Sequence, residues 1–597
     1  MHMRLRRSTP GLPAVAATLL LLVASLVGSA IPAAATRAAA AAATPAAPAA
    51  EPWWRHAVIY EIYPRSFQDS NGDGTGDLNG IAQRLDYLQQ LGVDAIWIAP
   101  IYPSAQVDFG YDITDYDAVD PMFGTLADFD RLLGEARRRH IRVILDMVLN
   151  HTSDQHPWFL DAARSGDSRY HDFYVWTAGK LDAAGHRAPP NNWVSLFGGS
   201  AWEFVPAVGE FYYHRFYRQQ PDLNWRNPEV ERAMFAAMRF WLERGVAGFR
   251  LDAVTELFED AKLRDAPALG GTNAQGDPNL SDIYTKNLPE VHDVMRRLRA
   301  MMDTYAGERV LIGETYLANT TDLDAWYGGA RHDELQLPMD TLVGLGNRLD
   351  ADTFRRRLLE SQTELHHSQP LLVFDNHDNV RSWDRFGDGV HDAQIARIVA
   401  ALLLTAPATA LLYQGQEIGQ RTATPTRVED VRDPLGIRGW PRDKGRDGER
   451  TPMQWDGSNA QAGFSTTPHT WLPVTADYRS VNVQSEAADP ESLLNWYRRL
   501  IALRRNNRAL REGRMVMLDT ANASVLSYAR VSTDGETVIV SLNMSPQPQT
   551  PSLDLVQAGL RSSHPRTLLS SPGPLPHGDA KGPVSLPPYA AWIAELR

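Results

Sequence analysis

From Trp53 onward, short runs of β-branched and aromatic residues alternate with longer amphipathic stretches. The stretch capped by Thr125 and Asp128 places Leu126, Phe129 and Leu132 at helical spacing. Eight apolar runs between such stretches are strand candidates. They span 58–63, 95–101, 143–148, 248–254, 310–315, 335–339, 371–375 and 410–413. Buried strands joined by crossover helices predict a (β/α)8 TIM barrel, and a doubly wound sheet is the alternative with the same periodicity.

Two segments depart from this alternation. A long insert rich in Trp, Phe, Asn and Gly follows the third strand candidate, where it would lie over the carboxyl-end mouth of a barrel. After about Arg514 the sequence changes to short strands, with a hairpin turn at Asp534-Gly535. We therefore expect four segments after the N-terminal region. They are a first barrel segment (51–151), an inserted domain (152–221), a second barrel segment (222–511) and a C-terminal antiparallel β-sandwich (512–597).

The N-terminal region has its own composition. Arg4, Arg6 and Arg7 precede an apolar run and then small residues, which is typical of a secretory signal peptide over 1–35. An Ala/Pro-rich linker follows over 36–50. The apolar run is shorter than the ~20 residues of a membrane span, and an uncleaved anchor helix is the alternative. We expect a secreted or periplasmic protein with no stable membrane anchor after signal cleavage.

Composition excludes several function classes. The chain of 597 residues contains no cysteine, which excludes disulfides, thiolate metal sites and a cysteine nucleophile. Its formal net charge at pH 7 is −13, whereas binding to a nucleic-acid backbone normally requires a basic face. We therefore expect no nucleic-acid partner.

Carboxylates stand at the ends of four strand candidates: the third, fourth, fifth and seventh. The polar residues at these ends are Asp146, Asn150, His151, Arg250, Asp252, Glu314, Asp375, His377 and Asp378. A single acid at a strand end is commonly a helix cap, but acids beside Arg and His at four ends are typical of a barrel active site. Acids buried together stabilise a cationic transition state, such as that of glycoside hydrolysis.

These four segments, in this order, resemble the conserved regions of the α-amylase family of glycoside hydrolases. Gln220-Pro-Asp-Leu-Asn224 resembles the signature of the oligo-1,6-glucosidase/α-glucosidase branch of that family. The resemblance runs from about Trp53 to the C-terminus. It implies a barrel, an inserted domain after the third strand and a C-terminal β-sandwich. It also implies small α-glucoside substrates, such as maltose and malto-oligosaccharides.

The resemblance assigns catalytic roles to three carboxylates. Asp252 would be the nucleophile and would form a covalent glucosyl ester. Glu314 would be the general acid that protonates the leaving group, and then the base that activates water. Asp378 would stabilise the distorted sugar ring through its hydroxyl groups.

The resemblance also implies a set of substrate-binding residues. Arg250 would hold the nucleophile ionised, because a nearby cation favours the carboxylate. Asp108 and Arg446 would pair and close the pocket behind one glucose, with Phe197 as an aromatic wall. The full set is Asp108, Tyr111, His151, Phe197, Arg250, His377 and Arg446.

The residue after the predicted nucleophile bears on linkage. Branch members that act on α-1,6 bonds usually carry Val there, and this chain has Ala253. We therefore predict a retaining, exo-acting hydrolase with a preference for α-1,4 bonds. Asn379-Val380 replaces the usual Gln-Pro, and Gln416 stands where Glu is frequent. The alternatives are an α-glucosyltransferase, an oligo-1,6-glucosidase and a non-catalytic sugar-binding relative, although such relatives typically lack these acids.

An oxygen-rich loop follows the first strand candidate. Asp69, Asn71, Asp73 and Asp77 carry oxygen side chains at spaced positions with glycines between them, a pattern typical of hard-cation loops. The twelfth position is Gly80 and not Glu, so the loop is not a complete EF-hand. The resemblance implies a structural Ca²⁺ here, with the Thr75 carbonyl as a further ligand. The alternative is a solvated Asp/Gly turn.

Overall fold

The computed structural model of the protein describes residues 51–366, 368–560, 565–571, 573 and 584–596. The predicted signal peptide and linker lie outside these residues. Within the described part of the chain, no helix is both long enough and apolar enough to cross a membrane.

Eight parallel strands close into a barrel, which confirms the predicted fold class and excludes the doubly wound sheet. They are β1 Val58–Ile62, β2 Ala95–Ile98, β3 Arg142–Val148, β4 Gly248–Asp252, β5 Val310–Gly313, β6 Leu337–Asp340, β7 Leu371–Val373 and β8 Thr409–Tyr413. Strands adjacent in the chain pair in parallel, and β1 pairs with β8 to close the sheet.

A main helix follows each strand. These helices are α1 Leu85–Leu91, α2 Leu126–Arg138, α3 Pro228–Arg244, α4 Glu290–Met302, α5 Thr320–Trp326, α6 Ala351–Glu364, α7 Asp392–Thr405 and α8 Leu493–Asn506. Thr125 and Asp128 form a capping box at the start of α2, and the apolar side chains of Phe129, Leu132 and Leu133 are buried. The predicted one-sided helix is therefore present.

Shorter helices lie in the connections. The α-helical ones are Pro64–Phe67, Leu78–Gln83, Pro157–Ala162, Thr341–Gly344, Ser382–Phe386, Pro434–Gly439, Val483–Ala488 and Arg508–Glu512. The 3-10 helices are Trp53–His56, His171–Phe173, Val254–Glu256, Gly329–Arg331, Gln416–Ile418 and Val428–Asp430.

The interior of the barrel changes from apolar to charged along the strands. Ile59 and Ile144 belong to one buried apolar cluster in the lower part of the interior. Because alternate residues of a strand share a face, Glu61 and Asp146 lie on the same side as these isoleucines but nearer the carboxyl ends. Both acids are fully buried. The fold thus places charged groups at the end of the barrel where the βα loops meet.

The insert after β3 is built from antiparallel strands. Trp176–Thr177, Glu210–Tyr213 and Trp202–Val205 form a three-stranded sheet, and Lys180–Leu181 pairs with Arg187–Ala188. Between β4 and α4, a further hairpin joins Ala268–Thr272 to Pro278–Leu280. The backbone N–H of Gly199 in the insert donates to Asp277 Oδ2 of this hairpin (2.7 Å). The two loops therefore meet above the barrel.

The C-terminal segment forms a five-stranded antiparallel sheet, which confirms the predicted all-β terminal domain. Its strands are β9 Arg514–Met517, β10 Val525–Val531, β11 Thr537–Asn543, β12 Pro565–Ser571 and β13 Ala591–Leu596. Arg530, buried on β10, donates from Nη1 to the Thr405 carbonyl (2.6 Å) and from Nε to the Gly513 carbonyl (3.0 Å). The sheet is thereby bonded directly to the end of α7.

Candidate active site

Arg250 on β4 joins the carboxylates at the ends of three neighbouring strands. Its Nη1 donates to Asp252 Oδ1 (2.7 Å) and to both oxygens of Asp146 (3.0 Å each). Its Nη2 lies 2.8 Å from Glu314 Oε1. The other Glu314 oxygen accepts the backbone N–H of Ala253 (2.8 Å). The two carboxylates to which the sequence assigns bond cleavage are therefore bridged by one guanidinium.

Burial shifts the protonation of this cluster. Burial raises the pKa of Glu314 to about 7; Arg250 opposes the shift, and the charges of Asp252 and Asp378 add to it. Burial likewise raises the pKa of Asp252 to about 7 against the effect of Arg250, and that of Asp146 to about 6. Near neutral pH the cluster therefore retains protons that separate exposed carboxyl groups would have lost.

Asp378, after β7, is held between two arginines. Its Oδ1 accepts from Arg450 Nη2 (2.6 Å) and from Arg446 Nη1 (3.1 Å), and its Oδ2 lies 3.3 Å from His377 Nε2. Burial favours the neutral acid, yet the positive charges of Arg446 and Arg450 hold the pKa of Asp378 below its ordinary value. This carboxylate is therefore ionised, in contrast to the cluster around Arg250.

His377 is fixed through both ring nitrogens. Its Nδ1 lies 2.6 Å from Glu61 Oε1 and its Nε2 lies 2.7 Å from the Tyr111 hydroxyl. The Tyr111 ring stacks on the imidazole at 5.4 Å with an angle of 6°. Burial lowers the pKa of His377 to about 3, so the ring is neutral. Sequence reasoning missed Glu61, whose signal was an acid inside an otherwise apolar strand.

Arg446 bonds acidic residues at one side of the cavity. Its Nη2 donates to Asp108 Oδ1 (2.8 Å), and its Nε donates to Asp433 Oδ2 (2.8 Å). The guanidinium lies over the Phe197 ring at 5.3 Å. With the bond to Asp378, one side chain thus connects three acids from three different loops.

His151 lies at the junction of the insert and the barrel. Its Nε2 is 3.0 Å from Gln220 Nε2 and 3.2 Å from the Tyr111 carbonyl oxygen. Gln220 also donates to Asp108 Oδ2 (3.1 Å). Burial lowers the pKa of His151 to about 3. The Gln220-Pro-Asp-Leu-Asn224 segment therefore contributes a side chain to the same network.

A cavity of about 280 Å³ lies among these groups. It is lined by Asp108, Tyr111, His151, Phe197, Phe216, Asp252, Ala253, Glu314, Tyr316, Asp378, Asn379 and Arg446. Of the ten predicted catalytic and substrate-binding residues, only Arg250 and His377 lie behind its wall. Phe216, Tyr316 and Arg450 were not predicted, although Tyr316 stands two residues after Glu314 and Arg450 four residues after Arg446. Asp108 is 4% exposed, whereas Phe197, Tyr316, Asp378, Asn379 and Arg446 are half-buried.

The predicted metal loop follows β1, away from this cavity lining. Asp69 accepts the backbone N–H groups of Gly72 (2.7 Å) and Gly74 (2.8 Å), and Asp77 accepts that of Gly80 (2.8 Å). Asn71 and Asp73 cap the amides of residues 73 and 75 at 2.8 Å. Across the described residues, no group of three or more His, Asp or Glu side chains is placed to hold a metal ion. The donors are hard oxygens of the type that Ca²⁺ takes, but here they bond the loop's own amides.

Comparison with known proteins identifies the family of the chain. The family model for the α-amylase catalytic domain matches residues 61–513. A probable α-glucosidase of Rhizobium meliloti (strain 1021) is 43% identical over 520 residues, covering 84% of this chain and 91% of that protein. An oligo-1,6-glucosidase of Parageobacillus thermoglucosidasius is 37% identical over 525 residues, covering 83% and 90%. The crystal structure of an α-glucosyl transfer enzyme aligns with a TM-score of 0.81 at 39% identity, covering 92% of this chain and 100% of that chain. The chain therefore belongs to the α-amylase family of glycoside hydrolases.

Proposed function

We propose that the protein is a retaining, exo-acting α-glucosidase that removes terminal, α-1,4-linked glucose from maltose and malto-oligosaccharides. The observation that carries the proposal is the Arg250 bridge. It holds Asp252 Oδ1 and Glu314 Oε1 at 2.7 and 2.8 Å from two nitrogens of one guanidinium. Such a bridge supports the short carboxyl separation of roughly 5–5.5 Å that retaining enzymes use.

The proposed reaction has two displacements. In the first, an Asp252 oxygen attacks the anomeric carbon while Glu314 gives its proton to the departing glycosidic oxygen, which leaves a glucosyl ester on Asp252. In the second, Glu314 takes a proton from water, the hydroxide oxygen bonds to the anomeric carbon and the ester bond breaks. Glu314 is suited to both roles because burial raises its pKa to about 7.

The Asp108–Arg446 contact at 2.8 Å supports exo action. In the proposed binding mode it lies behind the bound glucose, where a second sugar on the non-reducing side would have to pass. The cavity of about 280 Å³ suits a single hexose ring. We therefore propose that one terminal glucose occupies the cavity and that the rest of the substrate extends through the mouth.

The proposal also concerns which glycosidic bond is cleaved and which molecule receives the glucosyl group. Ala253 lines the cavity beside the nucleophile, and its small side chain supports a preference for α-1,4 bonds. Glucosyl transfer is the second candidate function, and the similarity to an α-glucosyl transfer enzyme favours it. Both functions use the same ester, and they differ in whether water or a hydroxyl of another molecule resolves it.

The decisive experiment follows the early products of maltotriose by NMR, because the first glucose set free from it comes from the non-reducing end and reports the anomer that the enzyme forms. We expect α-glucose as the first anomer released, and Asp252→Asn to lower kcat by about 10⁴-fold or more, as loss of a nucleophile does. The exposed Asp167 of the insert provides the control Asp167→Asn, which should behave as the wild type. Initial β-glucose, or undiminished turnover by Asp252→Asn, would contradict the proposal. A panel of isomaltose, sucrose and starch assigns linkage and chain length, and transfer products from maltose reveal the second candidate.

We also propose that the protein is exported to the periplasm or the medium and that loop 69–77 binds a structural Ca²⁺. The arginine-led apolar segment in residues 1–35 supports export. The spacing and the hard oxygen donors of the loop support the metal.

A further inference from the structure

Tyr316 receives two hydrogen bonds at its hydroxyl oxygen. Asn376 Nδ2 donates to it at 3.1 Å and Asn379 Nδ2 donates to it at 2.9 Å. A phenolic oxygen that already accepts two hydrogen bonds is poorly placed to accept a third. The hydrogen bond that Tyr316 can still make is therefore one in which it donates its own proton. No residue in the described ranges accepts that proton in a hydrogen bond. Burial, with the charges of Glu314 and Asp378, raises the pKa of Tyr316, so the hydroxyl stays protonated.

The direction of these bonds is fixed by the backbone. Asn376 Oδ1 accepts the backbone N–H of Asp378 at 3.1 Å, and a backbone N–H can only donate. The Asn376 amide nitrogen must therefore face Tyr316. Asn376 Oδ1 also accepts from Asn379 Nδ2 at 2.8 Å, which orients the second amide in the same way. Tyr316 is thus left as a donor by its surroundings.

The free O–H lies in the same cavity as the proposed general acid. In the segment after β5, Glu314 and Tyr316 both line the cavity, and Thr315 between them turns away to bond the Met339 carbonyl (3.0 Å). In the proposed reaction Glu314 protonates the bond to the leaving group, so the leaving-group sugar would lie on the side of the cavity that Glu314 and Tyr316 share.

We propose that Tyr316 donates its hydroxyl proton to a hydroxyl oxygen of the leaving-group sugar, and that Asn376 and Asn379 are positioning residues that aim it. This inference rests on the proposed α-glucosidase function. It makes Tyr316 a specificity determinant that distinguishes saccharide leaving groups, which present hydroxyl oxygens at the mouth, from aryl groups, which do not. A site built to bond a substrate hydroxyl discriminates strongly against an analogue without one.

The test compares maltose with 4-nitrophenyl α-glucoside, which carries the same glucose but no leaving-group sugar. The measured quantity is the ratio of kcat/KM for maltose to kcat/KM for the aryl glucoside. Tyr316→Phe should lower this ratio about tenfold, the worth of one hydrogen bond of about 1.4 kcal/mol. Tyr305→Phe, which deletes a tyrosine hydroxyl after α4 and outside the cavity lining, is the matched control and should leave the ratio unchanged.

Asn379→Asp provides the second arm, because it keeps the Tyr316 hydroxyl but supplies a carboxylate that accepts its proton. The ratio should fall as in Tyr316→Phe, and the double variant should lose no more than Tyr316→Phe alone. Equal losses on both substrates, or a shifted basic limb of the pH profile in Tyr316→Phe, would overturn the inference. They would show that the hydroxyl supports the fold or bonds Glu314. A wild-type enzyme that turns over neither substrate overturns the proposed function itself, so the two failures are distinguishable.

Discussion

At the scale of single residues, Arg250 decides how protons are distributed in the active site. It is one buried cation facing Asp146, Asp252 and Glu314, with N–O distances between 2.7 and 3.0 Å. One positive charge cannot keep three buried carboxyl groups ionised at their ordinary pKa values. The acid–base chemistry of the site therefore follows from the number of carboxylates that share this guanidinium.

The pH dependence of the reaction is the first prediction. In the proposed reaction Glu314 must be protonated and Asp252 ionised, and burial raises the pKa of each to about 7. We therefore expect kcat/KM to be highest near pH 7 and to fall on the basic side as Glu314 loses its proton. A pH profile of kcat/KM on maltose measures this limb. In Glu314→Gln the limb should be absent, and the rate loss should be smaller for an aryl glucoside, whose leaving group needs little protonation. An unchanged basic limb in Glu314→Gln would show that another group titrates there.

The candidate site could be predicted at residue level where polar residues stand in sequence motifs at strand ends. Eight of the ten predicted residues line the cavity, and Arg250 and His377 support them from behind. Glu61 was missed because its contact with His377 joins residues 316 positions apart, which no local pattern shows. Tyr316 was missed because its role depends on which atoms point at its oxygen.

At the scale of elements, β4 carries both Arg250 and Asp252, so its pairing with β5 positions the cluster of carboxylates around Arg250. Gly248 begins this strand at φ +154°, and a Cβ there would lie 2.0 Å from the Val310 carbonyl oxygen. A backbone oxygen cannot move aside as a flexible side chain can. The glycine is therefore required for the close approach of the two strands.

Gly248→Ala is the second prediction. We expect it to lower the free energy of unfolding by more than ~3 kcal/mol, since it forces a clash between paired strands and adds backbone strain. Chemical denaturation followed by circular dichroism measures the change. Gly134→Ala is the matched control: its Cβ meets nothing within 4 Å in α2, and it should stabilise by ~0.5–1 kcal/mol. A neutral Gly248→Ala would contradict the argument.

The loop at 69–77 carries the third prediction. If it binds Ca²⁺, adding the ion to chelator-treated enzyme should raise Tm, because a ligand that binds only the folded state stabilises it. Asp73 is exposed and its Oδ1 caps only the residue 75 amide, so Asp73→Ala should fold and lose the Ca²⁺ response. Asp167→Ala is the control and should keep the increase of Tm on adding Ca²⁺. A wild-type Tm indifferent to both chelator and Ca²⁺ would favour the solvated turn.

The ends of the strands are predicted less well by sequence patterns than the strands themselves. The apolar run predicted as a strand over 95–101 pairs only over Ala95–Ile98, yet Ala99 and Ile101 are also buried. An apolar run marks burial, and it does not mark where the hydrogen-bond ladder ends. The hairpin of Ala268–Thr272 and Pro278–Leu280 could not be predicted from apolar runs, because every residue of its first strand is exposed.

At the scale of the whole molecule, a buried arginine joins the barrel to the C-terminal sheet. Arg530 of the sheet bonds the Thr405 carbonyl at the end of α7, and Arg504 of α8 bonds the Leu404 carbonyl of the same helix (3.1 Å). Burial lowers the pKa of Arg530 to about 9 and that of Arg504 to about 10. Arg504 thus fixes α8 to the end of α7, and Arg530 bonds the sheet to the same end, so the sheet and the barrel stabilise each other.

Cooperative unfolding is the fourth prediction. We expect a single calorimetric transition for the wild type. Arg530→Met should lower the free energy of unfolding by ~2–4 kcal/mol, because two buried carbonyl groups lose their donor. Arg566 pairs with Glu595 at the surface of the same sheet and provides the control. Arg566→Met should change the free energy of unfolding by no more than about 0.5 kcal/mol. Separate transitions for sheet and barrel in the wild type would refute the coupling.

The order of the barrel and the C-terminal sheet along the chain could be predicted from the sequence. The contacts between them could not. Alternation of apolar runs and amphipathic helices predicted the barrel, and the change to short strands predicted the terminal sheet. The contact between Arg530 and Thr405 spans 125 residues and uses backbone carbonyls, which carry no sequence signature. Long-range contacts of this kind become visible only in the folded chain.

In the proposed function, the Asp108–Arg446 contact closes the cavity behind the bound glucose, and this imposes an order on product release. The leaving sugar would depart before water reaches the ester, so it would be the first product. Glucose would form behind it and leave last through the same opening. Free glucose would then return to the empty enzyme and compete with substrate, whereas the first product would rebind to the glucosylated form. On this proposal the enzyme is a ping-pong catalyst that its smallest product inhibits.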